Sequence, residues 1–214
     1  MKNFIITIKD IERSEQTARR CIKSGIRHGM NIDTYDAITP RNTNVYRMME
    51  AEELDTSGFI EHYSRLENCI AAFLSHYSLW KKCIEDKVTY TIFEHDAFIL
   101  QPISDTLLFD KVISLGKPSY GRYATPAIGA SLLTSKRYFP GAHAYRITPA
   151  GARALIKQAK LHAQPTDVFL NKESFPFLQE YYPWPVEARD SFSTIQNPAG
   201  CYAKHSFGET YEII

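Results

Sequence analysis

The chain has 214 residues, of which 44% are hydrophobic and 23% charged, a composition typical of a globular protein and not of a disordered one. Its 25 basic and 24 acidic side chains give a formal net charge of +1, which argues against a global field that draws the protein to nucleic acid or an anionic membrane. The length favours one large domain, residues 1–214, over two small ones.

The cysteines and the apolar runs bear on cellular location. Cys21, Cys69, Cys83 and Cys201 are scattered and lack the close spacing of zinc sites and redox motifs, so we expect reduced thiols in a cytoplasmic protein. The first residues contain too short an apolar run for a signal peptide, and no stretch reaches the roughly twenty apolar residues of a membrane span. We therefore expect neither secretion nor a transmembrane segment.

The first part of the chain alternates strand and helix patterns. Residues 3–8 form a short apolar run that predicts a buried strand, and the polar residues 12–24 predict a helix that ends near Gly25. Residues 31–38 predict a second strand. Residues 44–65 are polar without a clear period, which indicates a long loop or short helical pieces.

The clearest helix pattern covers residues 68–86. Apolar side chains recur there at helical spacing, which predicts an amphipathic or largely buried helix. The β-rich residues 88–93 follow and predict a central strand that runs directly into Glu94, His95 and Asp96. We therefore expect polar side chains at the carboxyl end of a buried strand.

The second part of the chain continues the α/β order. Residues 128–133 and 142–147 predict strands. Residues 149–160 predict a helix with proline in its first turn, and residues 167–172 a shorter helix. The tail around residues 181–186 is rich in aromatic residues and proline, which predicts extended edge structure that closes the domain.

Two carboxylates follow the predicted central strand. Glu94 and Asp96 are separated by one residue, so a divalent cation could bridge them to a diphosphate. Mg²⁺ and Mn²⁺ prefer such oxygen ligands, and they neutralise the charge that develops on a nucleoside-diphosphate leaving group. Acidic pairs are also common in loops and caps, so these residues alone leave both interpretations open.

Four segments of the chain, in the same order, resemble glycosyltransferase family 25, the lipooligosaccharide glycosyltransferases. They are TYDAITP around Asp36 and Ala37, Ser75-His76 with Trp80 and the following TYTIFEHDAFIL, GAHAYRITPAGARALI from Gly141, and PTDVFL from Pro165. Two departures are clear. Ala71 and Ala72 stand where the family usually has Gly-Cys, and His95 occupies the middle of a motif that is commonly all acidic.

The resemblance implies a GT-A-type fold, a Rossmann-like central mixed sheet flanked by helices. About residues 1–100 would hold the nucleotide-sugar and about residues 101–214 would shape the acceptor site. It also implies an inverting, metal-dependent transfer of a hexose, for example galactose, from a UDP-sugar to a saccharide or glycolipid acceptor such as lipooligosaccharide. A glycolipid acceptor would bring the protein into peripheral contact with the inner membrane face.

The resemblance also implies roles for individual residues. Glu94 and Asp96 would hold Mn²⁺ or Mg²⁺, and Asp167 would be the catalytic base or a second contact on the acceptor side. The residues implied at the donor are Asp36, Ala37, Ser75, His76 and Glu94. The residues implied on the acceptor side are His143 and Tyr145.

Each role has a plainer structural explanation. Ser75 can bond back to the preceding helical turn, His76 can be a hydrogen-bonded core residue, and Trp80 is expected in the core. Packing accounts equally for His143 and Tyr145. Asp167 stands where a helix N-cap belongs. The His95 imidazole could itself bind Mn²⁺ or another transition metal, but we expect it to point away from the site, as the middle residue of a strand end does.

Two other functions remain open on the sequence. One keeps the fold and transfers sugar to protein or to modified nucleic acid, although the near-neutral charge disfavours contacts with phosphates. The other is a non-catalytic carbohydrate-binding protein that has lost metal-dependent transfer, for which His95 is the only indication. Turnover of a UDP-sugar would distinguish an enzyme from this non-catalytic protein.

Overall fold

The computed structural model describes residues 1–60, 64–189 and 192–196, and the backbone of residues 212–213. Within these ranges, seven strands form one central sheet: β1 (Lys2–Thr7), β2 (Asp33–Asp36), β3 (Tyr90–Glu94), β5 (Val112–Ser114), β6 (Gly129–Leu132), β7 (Ala144–Ile147) and β8 (Gln179–Tyr182). The order across the sheet is β2-β1-β3-β7-β5-β8-β6. Two small ribbons pair β4 (Ala97–Ile99) with β9 (Val186–Ala188), and β10 (Phe192–Ser193) with β11 (Glu212–Ile213).

The sheet is mixed. Strands β1, β2, β3, β5 and β8 run in one direction, whereas β7 and β6 run in the opposite one. The parallel β1–β2 and β1–β3 pairs therefore bring three strand ends to the same edge. In open α/β sheets this carboxyl edge is where ligands bind.

In the part of the chain that the structure describes, five helices accompany the strands: α1 (Glu12–Arg27), α2 (Val45–Ala51), α3 (Leu66–Asp86), α4 (Pro149–Leu161) and α5 (Thr166–Phe169). The start of α4 follows from the sequence. The Thr148 hydroxyl accepts a hydrogen bond from the Gly151 N–H, and Pro149 occupies the first turn, where no N–H donor is needed. None of the helices in the described ranges is long and apolar enough to cross a membrane.

Two apolar clusters cover the two faces of the sheet. The larger one lies on the side of α3 and contains the fully buried Phe73, Trp80 and Tyr145. The smaller one lies on the side of α1 and includes Ile5 and Phe93. The first four residues of β3 are all buried, polar Thr91 included, as expected for a central strand that is covered on both faces.

Most predicted elements are confirmed with shifts of a few residues at their ends. The helix predicted over residues 68–86 is α3, and the polar stretch over residues 44–65 contains the short helix α2. Of the segment predicted as extended edge structure, residues 181–186, Tyr181 and Tyr182 end β8, where they pair with β6, and Val186 begins β9, which pairs with β4. Cys21 and Cys83 are buried free thiols, whereas Cys201 lies outside the described residues.

Candidate active site

A pocket of about 670 Å³ opens at the carboxyl edge of the sheet. Ile6 and Ile8 reach it from the end of β1, Asp36 from the end of β2, and Glu94 and His95 from the end of β3. The parallel register explains this convergence, since Ile6 lies opposite Glu94 and Thr7 opposite Asp36. Ala37 also lines the pocket and extends the β1–β2 pairing through its N–H to the Thr7 carbonyl, 2.9 Å away.

One face of α3 forms a wall of this pocket. Its contributing residues are Asn68, Ala71, Ala72, Ser75 and His76. Their spacing of three and four residues places them on one side of a helix. Ala71 and Ala72 are small, so they leave room in the pocket at the position of the family's Gly-Cys pair.

Sequence reasoning missed the rest of the lining. Arg41 and Asn42 come from the loop after β2, Arg65 from the start of α3, and Thr194 and Ile195 from the tail. The tail reaches the pocket through backbone pairing, in which the Arg65 N–H donates to the Ile195 carbonyl at 2.7 Å. No spacing rule in the sequence connects a tail to a helix start more than a hundred residues earlier.

Ser75 holds the pocket wall together. Its hydroxyl donates to the Ala71 carbonyl at 2.9 Å and accepts from the Ile38 N–H at 2.9 Å. The side chain is fully buried. Ser75 therefore bonds back to its own helix, as the plainer explanation requires, and also fixes the loop after β2 against α3.

His76 connects the pocket to the core. Its Nε2 lies 3.0 Å from Glu94 Oε1, and its Nδ1 lies 2.9 Å from the Tyr145 hydroxyl. The Trp80 indole N–H donates to the same hydroxyl at 2.8 Å. Trp80 is a core residue, as predicted, but its polar atom belongs to this chain of hydrogen bonds.

Burial shifts the pKa values of these groups. Burial lowers the pKa of His76 to about 3, despite an opposing effect of the Asp167 charge. Burial, followed by repulsion from Asp167, raises the pKa of Glu94 to about 8. The Glu94 side chain is still 27% exposed, so a ligand in the pocket can reach it.

Asp167 lies near Glu94 but does not line the pocket. It sits in the first turn of α5, whose N-cap is Pro165, so it is not the predicted N-cap. The Tyr120 hydroxyl donates to its Oδ2 at 2.5 Å, and the Val168 N–H to its Oδ1 at 2.8 Å. The Asp167 carboxylate is thus held in one position near Glu94.

Asp96 and His95 differ from their expected orientations. Asp96 does not line the pocket. Burial and, to a smaller extent, the charge of Asp96 raise the pKa of Cys21 to about 12. Asp96 therefore lies near Cys21, on the α1 side of the sheet. His95 lines the pocket instead of pointing away. The reason is that β3 ends at Glu94, so strand alternation no longer applies in the turn that follows.

Of the two residues predicted to hold the metal, only Glu94 therefore lines the pocket. Glu94 presents a hard oxygen ligand to the pocket, whereas the neighbouring His95 already pairs through Nδ1 with the Ser14 hydroxyl at 2.9 Å. No group of three or more potential protein ligands gathers in the described ranges. This donor set fits an ion held by one carboxylate and by substrate phosphates, a common arrangement for Mg²⁺.

His143 and Tyr145, predicted on the acceptor side, lie in the interior. Their exposed fractions are 2% and 0%, and neither lines the pocket. The cause is the position of β7 between β3 and β5, with cover on both faces. Neither residue is therefore available for direct contact with an acceptor.

The family model described as glycosyltransferase family 25 (LPS biosynthesis protein) matches residues 1–112 of the 214-residue chain. This segment, slightly more than half of the chain, contains β1 to β4, α1 to α3 and all of the pocket lining except Thr194 and Ile195. No curated protein matches the chain.

Proposed function

Because this chain belongs to glycosyltransferase family 25, we propose that it is an inverting, metal-dependent enzyme that transfers a hexose from a UDP-sugar to a saccharide acceptor in LPS biosynthesis. One observation carries the proposal. Five residues named from the family resemblance, contributed by three separate segments, line a single pocket: Asp36, Ala37, Ser75, His76 and Glu94. The mixed sheet with its pocket at the carboxyl edge supports assignment of the GT-A type.

The donor would lie across the ends of the three parallel strands. Asp36 and Ala37, at the end of β2, would face the nucleoside. Glu94, at the end of β3, would face the diphosphate together with Mn²⁺ or Mg²⁺. When bound, the ion neutralises charge on the leaving diphosphate. Glu94 would be its protein ligand, and His76 would hold that carboxylate by its hydrogen bond.

Asp167 would act as the base. It would remove the proton from the acceptor hydroxyl as the hydroxyl oxygen attacks the anomeric carbon and UDP leaves with the electrons of the broken bond. A single displacement of this kind inverts the anomeric configuration. The hydrogen bonds from Tyr120 and from the Val168 N–H keep the carboxylate in one orientation, which supports this role.

A glycolipid acceptor would place the enzyme at the cytoplasmic face of the inner membrane in peripheral contact. Lipooligosaccharide has this character, since its saccharide is attached to a lipid. The proposal therefore includes a membrane-proximal substrate.

Nucleotide binding provides the direct test. The melting temperature would be measured with UDP, GDP and CMP, each with and without Mn²⁺, for the wild type, Glu94→Gln and Asp96→Asn. A ligand at 100 times its Kd stabilises the folded state by about 2.7 kcal/mol. We expect stabilisation by UDP that requires Mn²⁺ and is lost in Glu94→Gln. Asp96→Asn should retain it, because Asp96 does not line the pocket.

Product analysis completes the test. UDP-sugars would be incubated with a lipooligosaccharide acceptor, and the anomeric configuration of the product determined by NMR. Stabilisation by UDP without turnover of any UDP-sugar would favour the non-catalytic carbohydrate-binding alternative. A product with retained configuration would contradict the inverting mechanism, and the absence of any nucleotide effect would contradict the transferase proposal as a whole.

A further inference from the structure

Three hydrogen bonds form a continuous line from the core to the pocket. They join the Trp80 indole nitrogen to the Tyr145 hydroxyl at 2.8 Å, this hydroxyl to His76 Nδ1 at 2.9 Å, and His76 Nε2 to Glu94 Oε1 at 3.0 Å. Trp80 and Tyr145 are fully buried, and His76 is 1% exposed. Glu94, at the end of the line, is its partly exposed member, and it lines the pocket together with His76.

The regular side-chain spacing of α3 and β3 brings these polar groups together. His76 and Trp80 are four residues apart on α3 and therefore lie on the same side of the helix. Tyr145 on β7 pairs with Ile92 on β3, and Ile92 and Glu94 share one face of the sheet because they are two residues apart. Packing of α3 on this face then brings the four polar groups together.

The donors and acceptors available on these groups determine which atom donates in each hydrogen bond. An indole N–H can only donate, so the Tyr145 oxygen accepts from Trp80. The single proton of the tyrosine hydroxyl then has one acceptor left among its neighbours, His76 Nδ1. In the opposite arrangement Nδ1–H would also donate to the tyrosine oxygen, and the buried hydroxyl proton would have no acceptor. A buried donor without a partner is strongly unfavourable, so the first arrangement is the stable one.

We infer that Trp80 and Tyr145 are positioning residues that fix His76 as the neutral Nε2–H tautomer and thereby orient the Glu94 carboxylate toward the pocket. The positioning role rests on the function proposed for Glu94, whereas the tautomer follows from the hydrogen bonds alone. Glu94 Oε1 receives the His76 N–H, and Oε2 forms no hydrogen bond within the described residues. Oε2 is thus the oxygen left for a ligand in the pocket.

The tautomer can be read without any activity assay. In the wild-type protein labelled with ¹⁵N at histidine, the two ring nitrogens of His76 would be assigned by NMR at neutral pH with the help of a His76→Gln spectrum. We expect a protonated Nε2 and an unprotonated Nδ1. A protonated Nδ1, whether in the other neutral tautomer or in imidazolium, would overturn the inference regardless of whether the protein transfers sugar.

The positioning role requires a variant that removes only the hydroxyl. Tyr145→Phe does so, and Tyr90→Phe is its matched control. Tyr90 is also fully buried on the central sheet, and its hydroxyl donates to Asp86 at the other end of β3. Loss of a group that orients a ligating side chain typically reduces activity or metal affinity about 10-fold to 100-fold.

We expect Tyr145→Phe to lower kcat about 10-fold or more with little change in the donor KM, and to shift the ¹³C resonance of the Glu94 carboxyl. Tyr90→Phe should leave both unchanged. If the wild type has no transferase activity, the proposed function fails, but the ¹³C shift still tests the positioning. Wild-type kcat together with a wild-type Glu94 resonance in Tyr145→Phe would overturn it.

Discussion

The Ser75 hydroxyl accepts a hydrogen bond from the Ile38 N–H, 2.9 Å away, and this contact fastens the loop after β2 to α3. Both residues line the pocket. Ser75→Ala leaves the Ile38 N–H without its partner, so we expect a loss of about 1–2 kcal/mol in the free energy of unfolding. Because the loop is released, nucleotide affinity should fall as well. Urea denaturation and calorimetric titration with UDP measure the two effects.

Ser24→Ala is the matched control for this substitution. The Ser24 hydroxyl donates to the Cys21 carbonyl at 2.7 Å and accepts from the Ile99 N–H at 3.0 Å. This arrangement is the same as that of Ser75, but it lies on the α1 side and away from the pocket. We expect a similar loss of stability with unchanged UDP affinity. Equal losses of affinity in both variants would contradict a specific role of the Ser75 contact.

The Glu180 carboxylate organises the turn after β6. It is 1% exposed and accepts hydrogen bonds from both the N–H and the hydroxyl of Thr134 and of Ser135, at 2.5–3.2 Å. Glu180→Gln removes the negative charge that accepts these hydrogen bonds and replaces one acceptor oxygen with an NH₂ group, so part of the set is lost. We expect a destabilisation of about 2–4 kcal/mol, since hydrogen bonds to charged groups contribute about 1.5–3 kcal/mol each. Denaturation in urea provides the measurement.

The exposed ion pairs offer a control for Glu180. The side chain of Glu53 is 78% exposed and pairs with Lys160 at 2.7 Å, so Glu53→Gln should leave the urea midpoint unchanged. A Glu180→Gln midpoint as high as that of Glu53→Gln would show that water, and not the protein, satisfies the Thr134 and Ser135 donors.

Arg146 is a fully buried guanidinium in β7. Its Nε donates to Thr91 Oγ1 at 3.1 Å, and Nη1 donates to the Ser104 carbonyl at 2.5 Å. Arg146→Lys keeps the charge but loses the fork that reaches two separate acceptors. We expect a loss of about 2 kcal/mol, at about 1 kcal/mol for each hydrogen bond. Arg137 provides the control, because its side chain is 75% exposed. Arg137→Lys should have the same urea midpoint as the wild type.

The stability should depend on pH through His143. Burial lowers its pKa to about 4, below the ordinary value of 6.5. The unfolded chain therefore binds a proton between pH 6.5 and 4 that the folded protein does not bind. The contribution of His143 is complete above pH 6.5 and is lost as the pH falls toward 4, at up to about 1.4 kcal/mol per pH unit.

His143→Asn tests this dependence, because asparagine does not titrate. Between pH 6 and 4.5, the slope of the unfolding free energy against pH should be smaller in His143→Asn than in the wild type. The difference corresponds to up to one bound proton, whatever the absolute stability of the variant. Measurements between pH 7 and 8, where His143 does not titrate, should give the same slope for both proteins. An unchanged slope between pH 6 and 4.5 would contradict the lowered pKa.

Local periodicity explains which parts of the fold were predictable. The helix predicted over residues 68–86 has a long apolar pattern, and the strand predicted over residues 88–93 is rich in β-forming residues; both are present, as α3 and β3. Strands β4, β5 and β9 have three residues each, too few to show an alternation. The aromatic and proline-rich residues 181–186 predict extended structure, but the pairing of Tyr181 and Tyr182 with β6 depends on a strand far earlier in the chain.

The same limit applies to the site. Residues that end parallel strands or share a helix face were predictable, since strand order alone brings Asp36 and Glu94 together. Thr194 and Ile195 come from a tail whose approach depends on tertiary pairing. The orientation of Asp96 depends on where β3 ends, and one residue of difference turns a side chain to the opposite face.

The position of β7 has a consequence for synthesis on the ribosome. β7 is made after β5, yet it lies between β3 and β5 in the sheet. While residues 144–147 are still in the exit tunnel, the emerging chain has the binding edge of β1, β2 and β3 but no neighbour for the outer side of β3. That apolar strand remains an open template for pairing with other chains until β7 arrives, which makes this interval of translation the one in which a holding chaperone would matter most.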